Sequence, residues 1–139
     1  MWYYRFVDSS LSISIALISG LKARRAAIES YLLDICTDPS CVHSFSDLPK
    51  IEIKPATPPD IFLLDLPNVS QPPVEAISFL KKHYPPSKII VTHFYEQDIL
   101  KQPMLKAGAD AYLNYELKKT DLVEAIKTVC GEASADSTS

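Results

Sequence analysis

Asp65 closes the apolar run Ile61-Phe62-Leu63-Leu64-Asp65, the one place in the chain where a short, buried-looking strand ends in a carboxylate. Open α/β sheets keep their ligands beyond the carboxyl ends of the strands, so a carboxylate there is the first candidate for a chemical centre. The helical segment after Gly20 opens with Lys22, Arg24 and Arg25. Two readings of these cations are open: one of them, Lys22 or Arg24, reaches Asp65 as an ion-pair partner, or all three face solvent. The remaining chemistry-bearing residues form no site. His43, His83 and His93 lack a partner motif for a metal and read as surface or rim residues. The 3 cysteines, Cys36, Cys41 and Cys130, contain no CxxC pair and read as reduced thiols that pack as small apolar groups. With only 3 glycines and no GxGxxG or P-loop pattern, neither a nucleotide nor a flavin is expected, and no cofactor is assigned.

The elements that position Asp65 follow from length and patterning. A chain of 139 residues suffices for one domain with a real core, and 47% hydrophobic with 22% charged residues excludes wholesale disorder. A net charge of -3 argues against the domain itself gripping nucleic acid, because phosphate contacts need clustered cations. The aromatic start Met1-Trp2-Tyr3-Tyr4-Arg5-Phe6-Val7 is too short for a signal sequence, and no apolar stretch approaches the roughly 20 residues of a membrane helix. A cytoplasmic location is expected. The aromatics could equally serve a partner contact or fold back as cover.

Strands are expected at Ile13–Ile18, Cys41–Phe45, Ile61–Leu64, Lys88–Thr92 and Ala111–Leu113. Between them, Leu21–Ile35 carries Ala23, Ala26, Ala27, Tyr31 and Leu32 at helical spacing, and Val74–His83 sets Val74, Ile77 and Leu80 on one face. Glu96–Ala107 is helical with Pro103 kinking it or delaying its start, and Lys119–Cys130 turns Leu122, Ile126 and Val129 inward. Pro49, Pro55, Pro58 and Pro59 deny regular helix to the stretch from Asp47 to Pro59, although five helices alternating with five strands is the overall expectation. Continuously apolar central strands require a parallel sheet covered on both faces, and the size fits an α/β, doubly wound, flavodoxin-like sheet of order 2-1-3-4-5 in a single domain.

Four segments carry a resemblance to the receiver domains of two-component response regulators. Asp60-Ile61-Phe62-Leu63-Leu64-Asp65-Leu66 looks like the strand bearing the family's phospho-acceptor aspartate, and Lys88-Ile89-Ile90-Val91-Thr92 like the strand ending in its Ser/Thr. Lys106-Ala107-Gly108-Ala109-Asp110-Ala111-Tyr112-Leu113 looks like the segment leading to the family's switch aromatic, and Asp121 to Lys127 with Gly131-Glu132 like its last helix and exit. The resemblance divides the chain into an N-terminal extension (1–11), a receiver-like domain (12–132) and a flexible tail or start of a linker (133–139). It implies a CheY-like fold, Asp65 at the acceptor position, and Thr92 and Tyr112 at the switch positions. For the last two the bland alternative is that Thr92 satisfies backbone groups and Tyr112 packs with its hydroxyl at the rim.

The departures from the family pattern fall in its pocket. Ser19 and Gly20 occupy the positions of the acidic pair that, with the acceptor, holds Mg²⁺ in receivers, and Tyr115 stands where the family has a lysine. A hydroxyl and one carboxylate make a poor Mg²⁺ site, and a phenol brings no positive charge at neutral pH. The loop Pro67-Asn68-Val69-Ser70-Gln71-Pro72-Pro73 also lacks the family's Met-Pro and later Gly. Phosphoryl transfer rests mostly on positioning and charge neutralisation, so these losses leave Asp65 chemically idle. The expectation is therefore a pseudo-receiver, not an enzyme and without a bound metal. It would bind a protein partner or a second copy through the fourth helix, fifth strand and fifth helix. The resemblance further implies a LuxR-type transcription regulator that meets DNA through a domain beyond Ser139. The alternative is a phospho-accepting receiver that uses Asp65 in an unconventional pocket.

Overall fold

The computed structural model describes residues 13–36, 39–94, 99 and 101–138. Five strands, β1 (Ile15–Ile18), β2 (Val42–Phe45), β3 (Ile61–Asp65), β4 (Lys88–His93) and β5 (Ala111–Asn114), form one parallel sheet in the order β2-β1-β3-β4-β5. Four helices cover it among the described residues: α1 (Lys22–Ile35), α2 (Pro73–His83), α3 (Lys101–Ala107) and α4 (Lys119–Thr138). The expected strand order and fold class are those found. The aromatic start lies outside the described residues, as does the Glu96 start expected for the third of these helices.

The central strands are apolar throughout because both of their faces are covered. Alternate residues divide between two cores: Leu17, Leu63 and Ile90 meet Ile28, Leu32, Leu122 and Ile126 on one side. On the other, Ile18, Phe62, Leu64 and Val91 meet Ile77, Leu80 and Met104. α2 begins with Pro73, whose missing N–H is no loss in a first turn, and ends on Lys81, Lys82 and His83, which complement the helix dipole.

Several expectations are corrected. The β2–β3 crossover carries no α-helix, only a short 3₁₀ turn at Leu48–Lys50, so five helices become four. The prolines explain this, and the extended segment is pinned instead by Tyr84, whose hydroxyl donates to the Ile53 carbonyl at 2.7 Å. In α1 the alanines Ala23, Ala26 and Ala27 face solvent, while Ile28, Leu32 and Ile35 face the sheet. The larger side chains win the buried side because they remove more apolar area from water. In α2, Val74 is exposed and Ala76 joins Ile77 and Leu80 inside. The α4 backbone continues to Thr138, past the end expected at Cys130. Pro103 falls in the first turn of α3, where a proline breaks no helical hydrogen bond.

Candidate functional site

The register of the sheet assembles the pocket. Ile18 pairs with Leu64, which sets Ser19 beside Asp65, and Asp65 itself pairs with Thr92. All three side chains lie at the carboxyl edge of adjacent strands, and Ser19, Asp65 and Thr92 are each fully buried. α1 starts directly above this edge, with Arg24 in its first turn.

Asp65 is completely paired. Its Oδ1 accepts from Thr92 Oγ1 at 2.7 Å, and its Oδ2 accepts from Ser19 Oγ at 2.7 Å and from Asn68 Nδ2 at 2.8 Å. Arg24 Nε donates to both oxygens at 2.9 Å. The Arg24 guanidinium sits over the Tyr115 ring, its central carbon 3.6 Å from the ring centroid. Tyr115 is fastened in turn: its hydroxyl accepts from Asn68 Nδ2 at 2.8 Å, and its backbone N–H donates to the His93 carbonyl at 2.8 Å. A desolvated cation on an aromatic face contributes roughly 2 kcal/mol, and a weakly hydrated guanidinium loses least by being held there. Arg24 Nη2 is buried without a protein hydrogen-bond partner, so the ring face is the main company of that side of the group.

Of the expected ion-pair partners, Arg24 pairs with Asp65, while Lys22 is exposed and makes no bond to it among the described residues. Lys22 lies two residues before Arg24, on a helix whose first turn brings position 24 to the sheet edge. Arg25 donates to the Ser19 carbonyl at 2.7 Å instead. Thr92 donates to the carboxylate rather than to backbone, and Tyr112, half-buried, donates its hydroxyl to the Phe94 carbonyl at 2.8 Å. His93, read from the sequence as a surface or rim residue, is buried. It sits at the end of a central strand, its Nδ1 accepts from the Phe94 N–H at 2.8 Å, and burial pushes its pKa down. His43 and His83 are exposed. Burial raises the Cys36 and Cys130 thiols, which suits inert packing groups.

Asn68 was not singled out by its sequence, yet it ties three parts of the pocket together. Its side chain bridges Asp65 and Tyr115, and its carbonyl accepts from the Gly20 N–H at 2.7 Å. Its position three residues past the carboxylate is the only signal the chain offers. The approach at Gly20 is close: a Cβ there would stand 2.5 Å from the Asn68 carbonyl oxygen.

These residues do not fit the Mg²⁺ that receivers bind. Position 20 has no side chain and no room for one, Ser19 spends its hydroxyl on Asp65, and both carboxylate oxygens face a fixed guanidinium. Among the described residues no cluster of three His, Cys, Asp or Glu side chains is placed to hold a metal. No helix of the described residues is long and apolar enough to cross a membrane.

No family model matches the chain. Over 71 residues, 51% of its length, it is 34% identical to the transcriptional regulatory protein DegU of Brevibacillus brevis, 30% of which is covered. A response regulator receiver domain protein (CheY-like) from Methanospirillum hungatei JF-1 superposes with a TM-score of 0.73 at 20% identity, over 91% of this chain and 99% of that one. The signal receiver domain of a response regulator from Bermanella marisrubri matches with a TM-score of 0.69 at 26% identity, over 85% and 98%. A two-component response regulator of the LuxR family from Aurantimonas sp. SI85-9A1 gives 0.74 at 17%, over 88% and 87%. Strand order, fold likeness and sequence likeness agree: the chain has the CheY-like fold of response-regulator receiver domains and is similar to them, with serine and glycine where such domains carry the acidic pair and tyrosine where they carry the lysine.

Proposed function

We propose that this domain regulates by protein contact and not by accepting a phosphoryl group. The observation that carries the reading is the Arg24 guanidinium, a tethered cation that meets both oxygens of Asp65 where a receiver places its metal and acceptor chemistry. Nucleophilic attack by a carboxylate needs a free oxygen and a cation that neutralises the incoming phosphoryl oxygens. Here Ser19, Asn68, Thr92 and Arg24 Nε all donate to the carboxylate, and the cation is engaged with the same group. Partner or self-association is assigned to the face formed by α3, β5 and α4. DNA contact is assigned to another part of a longer regulator, by analogy with the DegU match and the LuxR-family fold neighbour.

Incubation with acetyl phosphate and Mg²⁺, followed by intact mass measurement, tests the chemical half of the proposal. An unmodified mass is expected under conditions that phosphorylate an ordinary receiver in the same tube. An adduct that disappears in Asp65→Asn overturns it in favour of an unconventional phospho-receiver.

A further inference from the structure

The pocket does not end at Tyr115. The Phe94 ring packs tilted against Tyr115, with centroids 4.7 Å apart and an interplanar angle of 41°, and the Phe94 carbonyl holds the Tyr112 hydroxyl at 2.8 Å. Phe94 is therefore fixed twice. Its backbone follows directly from Thr92 and His93, and Thr92 is bonded to Asp65; its ring rests on Tyr115, which carries Arg24. Phe94 is also 38% exposed, so this connected series of contacts runs from a fully buried carboxylate to the protein surface.

We infer that Arg24, Tyr115 and Phe94 form a contact latch through which the Asp65 ion pair sets the position of Tyr112. The guanidinium supplies two things at once, charge for Asp65 and a cation seated over the Tyr115 ring. Loss of the ion pair frees the guanidinium, the guanidinium frees the Tyr115 ring, and the ring releases Phe94, whose carbonyl Tyr112 grips. The tyrosine that replaces the family's lysine is thus the middle plate of the latch. This inference rests on the proposed function only for the use made of the Tyr112 face, and its test contains neither a partner nor a phosphoryl donor. A chain that accepts phosphate would contradict the proposed function and leave the latch standing.

The test is ¹⁹F NMR of protein labelled with 3-fluorotyrosine, the Tyr112 resonance being assigned by its loss in Tyr112→Phe. Tyr115→Leu removes the middle plate and leaves the Arg24–Asp65 pair, whereas Tyr115→Phe keeps the plate and loses only the hydroxyl. The Tyr112 resonance is expected to move by more than its linewidth, or to split, in Tyr115→Leu and to stay in place in Tyr115→Phe. The double variant Arg24→Met with Asp65→Asn removes both buried charges together, so that it folds, and is expected to move the resonance as Tyr115→Leu does. An unmoved resonance in Tyr115→Leu or in the double variant overturns the latch. An equal movement in Tyr115→Phe overturns it as well, because the Asn68 hydrogen bond and not the ring contact would then carry the coupling.

Discussion

Replacing Arg24 by Met gives the pocket its sharpest energetic test. Asp65 is entirely shielded from water, while the Arg24 side chain keeps 17% of its surface exposed. The two partners are therefore unequal. Removing the guanidinium leaves a buried carboxylate with three neutral donors, Ser19, Asn68 and Thr92, and no cation. Breaking a buried pair in this way costs roughly 3–5 kcal/mol. Asp65→Asn leaves the charge on the partner that can lean toward solvent, and disturbs hydrogen bonds worth roughly 1–3 kcal/mol in total. The double variant removes both charges, so it should cost less than the sum of the singles, with a coupling of roughly 1–3 kcal/mol. Urea unfolding reads all three. With an m-value of about 2 kcal/mol per molar, Arg24→Met should lower the midpoint by about 2 M, and Asp65→Asn by less. A midpoint within about 0.5 M of the parent for Arg24→Met, or additivity of the two substitutions, would refute the reasoning.

Gly20→Asp restores one member of an acidic pair on paper, yet its Cβ would meet the Asn68 carbonyl oxygen at 2.5 Å. It should destabilise the domain by about 1–3 kcal/mol and give no saturable Mg²⁺ heat in calorimetry, and a saturable titration would count against the packing argument. Gly108 adopts φ 125°, and a Cβ there would approach Lys81 Cγ to 2.4 Å. Gly108→Ala should cost about 1–3 kcal/mol in thermal or urea unfolding, a parent-like curve being the contrary result. His93 has its pKa depressed by burial, so the unfolded chain takes up a proton first as pH falls. Stability should be at its full value above the ordinary histidine pKa of 6.5 and decline below it toward the native-state pKa. Melting temperatures across that interval should fall in the parent and stay flatter in His93→Asn; parallel profiles would remove His93 as the cause.

The sheet was legible because central strands buried on both faces leave near-continuous apolar runs, as Ile61–Leu64 and Ile89–Val91 do. Strand ends and Asp65 followed from the same runs. Helix faces were harder. Alanines at helical spacing in α1 mimic a buried stripe, and only competition with Ile28, Leu32 and Ile35 for the sheet decides which side is inside. The missing crossover helix was written in four prolines, but the overall alternation pointed the other way. Within the pocket, residue types told what was missing and not what had replaced it. Arg24 reaches Asp65 only because α1 starts immediately over the sheet edge, and its seat over Tyr115 joins residues far apart in the chain. Asn68 stayed invisible because an amide in a loop has many ordinary roles until its two neighbours are seen.

The central claim, that Arg24 has taken over the charge-neutralising place and closed Asp65 to phosphoryl chemistry, meets its most direct test in one titration. Beryllofluoride with saturating Mg²⁺, a phosphoryl mimic that binds an acceptor carboxylate without hydrolysis, is added to ¹⁵N-labelled protein, and the amides of Asp65, Thr92 and Tyr115 are followed. No saturable displacement is expected, because the carboxylate oxygens and the cation are already committed to each other. Saturable shifts at those three amides, lost in Asp65→Asn, would contradict the claim and restore Asp65 as a working acceptor.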